Sequence, residues 1–204
     1  MKKIFNKELA MILSLSLLLL LVIGTTVAYI YTATNPVKNI FEPSQVACAV
    51  VEDGRDPVTG SLVDIGETKK NVKIKNTGDT DAYIRVAVTV NWASADGTRV
   101  WAQKPAQDTD YTITFNDNSD WFVGGDGFYY YKKAVSPGDL TSPLINSAIL
   151  NEGRTPPTGT DGTEYFLSVE IVASAIQSTP AKVVEDQWKV SVGEDGSLSR
   201  AGGN

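Results

Sequence analysis

The chain has 204 residues, one cysteine, no histidine, and a formal net charge of −6 from 18 basic and 24 acidic side chains. Without imidazole the Ser-His-Asp triad, the Cys-His dyad and the helical HExxH zinc site are all excluded. The single cysteine, Cys48, excludes an intrachain disulfide, and the acidic balance argues against nucleic acid, whose phosphates call for a basic face.

Lys2, Lys3 and Lys7 precede "LAMILSLSLLLLLVI" (Leu9–Ile23), an apolar run broken only by Ser14 and Ser16, and Gly24, Thr25, Thr26, Val27 and Ala28 follow it. A basic start, an apolar core and a small-residue exit predict a secretory signal over residues 1–28, cut between Ala28 and Tyr29. As a helix the core is roughly 22 Å long at about 1.5 Å per residue, short of the ~30 Å hydrocarbon layer. Apolar character runs on through Val27, Tyr29 and Ile30, so an uncleaved anchor is the alternative. The lysines would keep the start cytoplasmic and send the rest outward, which makes the protein secreted or surface-associated. The remaining 176 residues, with 15 basic and 23 acidic side chains, suit one domain with a sizeable core.

Residues 29–43 read as an extended arm. "VKNIF" (Val37–Phe41) lies between Pro36 and Pro43, and its Val37, Ile40 and Phe41 are apolar enough to pair. Such an arm can add a strand to a neighbour's open sheet edge, or else pack on its own domain.

Residues 44–193 read as strands. "VACAVVE" (Val46–Glu52) is apolar on both faces, as expected of a covered central strand with Cys48 as a small core residue. "NVKIKN" (Asn71–Asn76) turns Val72 and Ile74 inward and Lys73 and Lys75 to water. "AYIRVAVTVNW" (Ala82–Trp92) sends Ile84, Val86, Val88, Val90 and Trp92 one way and Tyr83, Arg85, Ala87, Thr89 and Asn91 the other. "YTITF" (Tyr111–Phe115) and "YFLSVEIVASAIQ" (Tyr165–Gln177) obey the same period of two. "TSPLINSAIL" (Thr141–Leu150) suits a helical turn or a strand, and "PAKVVEDQW" (Pro180–Trp188) a short helix. Residues 194–204 are polar and expected to fray. Turn signals such as "NTGDTD", "ASADGT" and "PPTGTDGT" separate these runs. Short strands between such turns predict an all-β, antiparallel sandwich with few short helices.

Two further groups are candidates for a site. Tyr129 and Tyr131 point one way and Tyr130 the other, so some of these rings are expected at the surface, where a flat ring stacks on extracellular polysaccharide. Core packing and cross-strand pairing is the plainer reading. Asp117, Asp120 and Asp126 lie in turns, where acids mostly cap backbone. Calcium is chemically allowed in "NDNSD" or "GGDG", but neither follows a full EF-hand loop. No catalytic residue, cofactor or metal site is assigned.

Gly24–Tyr29, "GTTVAY", after its leucine-rich core and before "TNPVKNIFEP", resembles leaders processed by the SipW-type signal peptidase of Gram-positive bacteria. "KNVKIKNTGDTDAYIRVAVTVNW" (Lys70–Trp92) resembles the first strands of that enzyme's camelysin and TasA-like substrates, and "FYYYKKAVSPGDLTSPL" (Phe128–Leu144) a later stretch of related members. The resemblance implies a jelly-roll-like sandwich. From TasA it implies fibres of the biofilm matrix; from camelysin, a casein-cleaving metalloprotease. The absent histidine weighs against the second, because catalytic zinc normally keeps imidazole among three protein ligands. The expected protein is a secreted, non-enzymatic fibre subunit that self-associates through its arm, with a polysaccharide-binding module as first alternative and a camelysin-like protease as second.

Overall fold

Unbroken alternation in Ala82–Ser94 and Tyr165–Gln177 produces the two longest strands, and they pair antiparallel along their whole length, from Ala82 opposite Gln177 to Ser94 opposite Tyr165. The computed structural model describes residues 7, 10–20, 44–53, 62–63, 68–116 and 118–202. The chain divides into two units, Met1–Pro43 and Ser44–Asn204. In the first, residues 10–20 are helical and their large apolar side chains are exposed. No helix among the described residues is long and apolar enough to cross a membrane. The expected cut at Ala28 and Tyr29, and the arm with Val37, Ile40 and Phe41, lie outside the described residues.

The second unit is an antiparallel β-sandwich. Its strands are β1 (Cys48–Val51), β2 (Leu62–Val63), β3 (Thr68–Asn76), β4 (Ala82–Ser94), β5 (Tyr111–Phe115), β6 (Trp121–Val123), β7 (Tyr129–Tyr131), β8 (Ile145–Leu150), β9 (Tyr165–Gln177), β10 (Val190–Val192) and β11 (Leu198–Arg200). One sheet has the order β1-β3-β8-β5 and the other β2-β9-β4-β7-β6. From β1 to β9 each successive strand changes sheet, except that β6 and β7 form a hairpin. Ile84, Val86, Leu167 and Val169 from the five-stranded sheet meet Val72, Ile74, Ile145 and Ala148 from the other, all 0% exposed. Burying one such valine, leucine or isoleucine stabilises by roughly 1.5–3 kcal/mol, so this dry layer is the main support of the fold.

A second, smaller core covers part of the other face of the five-stranded sheet. Tyr83 and Tyr130 reach away from the main core and meet Val184, Trp188, Val190 and Leu198. The helix Ala181–Trp188 and the β10–β11 ribbon carry those four residues. The polar tail expected to fray therefore contains a strand, and the domain runs past residue 193. Leu198, 1% exposed, anchors it; its N–H donates to Lys132 O (2.8 Å), and Tyr83 OH donates to Gly196 O (2.6 Å). Of the two readings open for Thr141–Leu150, the strand holds over Ile145–Leu150.

One end of the sandwich is tied by exposed polar loops. Asp96 accepts hydrogen bonds from Ser94 Oγ (2.5 Å), Thr98 Oγ1 (2.9 Å) and Thr98 N (3.1 Å). Asp161 accepts from Thr163 N (3.1 Å) and Arg99 Nη1 (2.6 Å), which joins the loops after β4 and before β9. The Ser94 hydroxyl and the Thr98 donors hold the Asp96 carboxyl down to about 2; the Thr163 N–H and the Arg99 guanidinium do the same for Asp161, also about 2. Both values lie below the ~3.9 of an unfolded aspartate. Their stabilisation is thus complete above about pH 4 and fades as pH falls toward 2. Carboxyl NMR titration should find both midpoints near 2, with the urea midpoint falling across the same window.

Candidate functional site: the sandwich edges and the tyrosine strand

An antiparallel ladder turns the backbone groups of alternate residues toward its neighbour and those between them away. At the outer strands the second set meets either a guard or solvent. β5 is guarded: Tyr111 O accepts from Asp108 N (2.7 Å), Tyr111 N donates to Ala106 O (3.4 Å), and Gln107 Nε2 donates to Ile113 O (3.4 Å). β6 has three residues, and Arg200 Nε donates to Val123 O at its end (2.6 Å). β2 has two residues.

β1 differs. Sequence reasoning made Val46–Glu52 a covered central strand; it lies instead at the edge of the four-stranded sheet, paired with β3 alone among the described residues. Its two apolar faces reflect partial cover: Cys48, Val50 and Val51 are half-buried and Ala49 is exposed. Burial pushes the Cys48 thiol up from its ordinary value. Ala47 O accepts from Thr77 N (3.0 Å) and Gly78 N (3.2 Å), and Asp53 N donates to Lys70 O (3.2 Å). The phase thus directs the N–H and C=O of Cys48 and Val50 away from β3. Cys48–Val51 carries no lysine and no proline, two of the features that usually blunt an edge.

The entry to β1 is firmly held. Asn76, 0% exposed, donates to Thr80 O (2.8 Å) and Val135 O (2.7 Å) and accepts from Gly78 N (2.9 Å). A Cβ on Gly78 would collide with Gln45 O and approach Ala47 N. Gly78 is therefore required for close approach, and it seats residues 45–47 just before β1.

Of the three tyrosines, Tyr130 is sealed, and Tyr129 and Tyr131 are only partly exposed. Tyr130 is 0% exposed. It stacks on Phe122 (5.3 Å between centroids), meets Trp188 edge-on (5.6 Å), and donates from its hydroxyl to Asp126 Oδ2 (2.7 Å). Tyr129 and Tyr131 point the opposite way, as alternation requires, and are half-buried against the main core. There Tyr129 stacks on Phe115 (4.8 Å) and Tyr131 packs against Trp121 (5.0 Å). The correction has a simple cause: β7 is covered on both faces, and no local pattern announces the second cover.

Beside Tyr130 lies a cavity of about 310 Å³, bounded by Arg85, Asp126, Trp188, Lys189 and Arg200 among others. The Arg85 guanidinium sits over the rings of Phe128 (4.4 Å) and Trp188 (5.0 Å), with Nη1 3.6 Å from Asp126 Oδ2. Asp126 is thus engaged with Arg85 and Tyr130, Asp120 lies 3.8 Å from Lys133, and Asp117 is outside the described residues. No group of three His, Cys, Asp or Glu among the described residues could hold a metal ion.

Sequence reasoning also missed a buried ion pair. Lys69 Nζ lies 2.5 Å from Glu52 Oε1, with the side chains 2% and 1% exposed. No family model, curated protein or solved structure matches this chain.

Proposed function

We propose that the protein is a secreted, non-enzymatic structural subunit of an extracellular matrix or cell-surface fibre. In this reading a SipW-type signal peptidase frees the arm 29–43, and the arm of one copy adds to β1 of the next. The observation that carries the reading is β1 itself, an apolar edge that no described residue guards on its free side, beside edges that are guarded or very short. Unpaired strand groups at such an edge template another strand. The lack of any histidine in the chain supports a structural rather than a hydrolytic role.

Sedimentation and electron microscopy of the cleaved chain test the proposal, and polymers are expected. Ala49→Lys places a charge on an exposed edge position and should leave the fold intact. It should raise the concentration needed for assembly about tenfold or more, equivalent to roughly 1.4 kcal/mol per contact. A cleaved chain that stays monomeric at high concentration overturns the reading. A second reading then moves ahead: the cavity with cationic Arg85, Lys189 and Arg200 beside Trp188 suits the carboxylate of an acidic polysaccharide, which titration with uronic-acid oligosaccharides would reveal.

A further inference from the structure

Lysine is rarely buried, and a strict period of two does not bury Lys69. The phase of β3 that turns Val72 and Ile74 inward would turn residue 70 inward and residue 69 out. Asn71 breaks that phase. Its φ is 50°, in the left-handed region, and its Nδ2 donates to Asp53 Oδ2 (2.6 Å). As a result Lys69 is buried and Lys70 exposed. A bulge of this kind re-aims a side chain at a cost in backbone strain. Here it aims Lys69 at Glu52, which directly follows the edge strand β1.

The pair is unusual in two further respects. Glu52 Oε2 is buried and has no hydrogen-bond partner among the described residues, and an unsatisfied buried carboxylate oxygen is expensive. Both side chains also line a cavity of about 500 Å³. Two opposite charges so far removed from the surface are costly to maintain. Transfer of one proton from Nζ to Oε1, the oxygen it touches, removes both charges and leaves a neutral amine against a neutral carboxylic acid. Nζ is 2.5 Å from Oε1, and the acid carbon Cδ lies one C–O bond beyond.

We infer that Lys69 and Glu52 form an intramolecular amide cross-link, an isopeptide bond between β3 and the end of β1. The Nζ lone pair attacks Cδ, and the Nζ–Cδ bond forms. The Cδ–Oε1 bond breaks. Oε1 leaves as water, carrying the proton it received and one more from the amine, and passes into the adjoining cavity. Nζ keeps one hydrogen, Oε2 remains as the amide carbonyl, and no oxidant or co-reactant enters. Apposition in one fixed geometry takes the place of an activating reagent. The product removes the buried ion pair and turns the unsatisfied carboxylate oxygen Oε2 into a neutral amide carbonyl. It also ties the edge strand covalently to its neighbour.

The test is the intact mass of the full chain, purified in folded form and then denatured, against the mass its sequence dictates from the N-terminus found by sequencing. The expected result is a chain lighter by one water, with a branched peptide after proteolysis that joins the Glu52 and Lys69 segments. Lys69→Arg keeps a cation beside Glu52 but offers no nucleophilic amine, and should show the full mass and no branched peptide. A wild-type chain at full mass after prolonged incubation at neutral pH overturns the inference. So does a loss of water whose peptide maps elsewhere. Because the wild-type mass decides alone, a Lys69→Arg chain that fails to fold leaves the test intact.

Discussion

Tyr130→Ala is expected to destabilise the sandwich unit by about 3–5 kcal/mol, the range for removing a large buried aromatic side chain, read as a fall in the urea midpoint at constant slope. Tyr130 joins three layers of the second core. It is 0% exposed, stacks on Phe122 from β6, meets Trp188 from the helix, and bonds Asp126 in the β6–β7 turn. Truncation leaves a void in a closely packed place, where even a Cβ on Gly124 would lie 2.5 Å from Tyr130 Cε2. Tyr130→Phe keeps the area and loses the 2.7 Å hydrogen bond to Asp126, a carboxylate that is 40% exposed, with two longer ones of 3.4 Å to Trp188 O and from Arg85 Nη1. Water can replace the donor there, so the expected cost is only about 1 kcal/mol. Equal losses in the two variants would mean that the hydroxyl network, not packing, holds the helix and the ribbon to the sheet.

If the chain assembles as proposed, deletion of residues 29–43 behind intact residues 1–28 should leave a folded monomer that does not polymerise. The pairing core Val37–Phe41 can contribute several backbone hydrogen bonds at about 0.5–1.5 kcal/mol net each. Enclosing Val37, Ile40 and Phe41 adds roughly 1.5–3 kcal/mol apiece. Ordering five residues offsets much of this at ~1–2 kcal/mol per residue. The balance per contact is modest, but in the proposed fibre it would repeat along the assembly, and removing the donor would abolish every repeat at once. The sandwich unit begins at Ser44, so the deletion spares its strands. Circular dichroism checks the fold, and electron microscopy and sedimentation of both forms side by side check assembly. Fibres from the truncated chain would show that the arm is not the donor while leaving the edge in play; Ala49→Lys then decides whether β1 accepts some other strand.

Much of the sandwich was legible because side-chain alternation is a local property. Ile84, Val86 and Trp92 on β4, Leu167 and Val169 on β9, and Val72 and Ile74 on β3 all lie on the face that a period of two assigns them. Proline before a short amphipathic run marked the helix Ala181–Trp188 in the same way. The place of a strand within its sheet is not local. Val46–Glu52 is apolar on both faces, yet β1 is an edge, because which strands flank it depends on where β3 and β8 pair. The candidate site was less legible for the same reason. Tyr130 alternates as expected, but what covers its face is a helix and a ribbon more than fifty residues away in sequence. Lys69 escaped because one left-handed residue, Asn71, reverses the alternation, and asparagine in a strand carries no sign of doing so until the backbone is seen.

By itself, then, the sequence determined the strand-rich class, the inward set of each long strand, the short helix, and the chemistry excluded by a chain without histidine. Periodicity and composition are properties of the chain before it folds, and they survive folding unchanged. Tertiary structure alone decided that β1 is an edge among the described strands, that Tyr130 is sealed, that Leu198 anchors the tail, and that Lys69 faces Glu52. Each of those depends on a contact between segments far apart in the chain, where burial and pairing follow from the partner rather than from the residue.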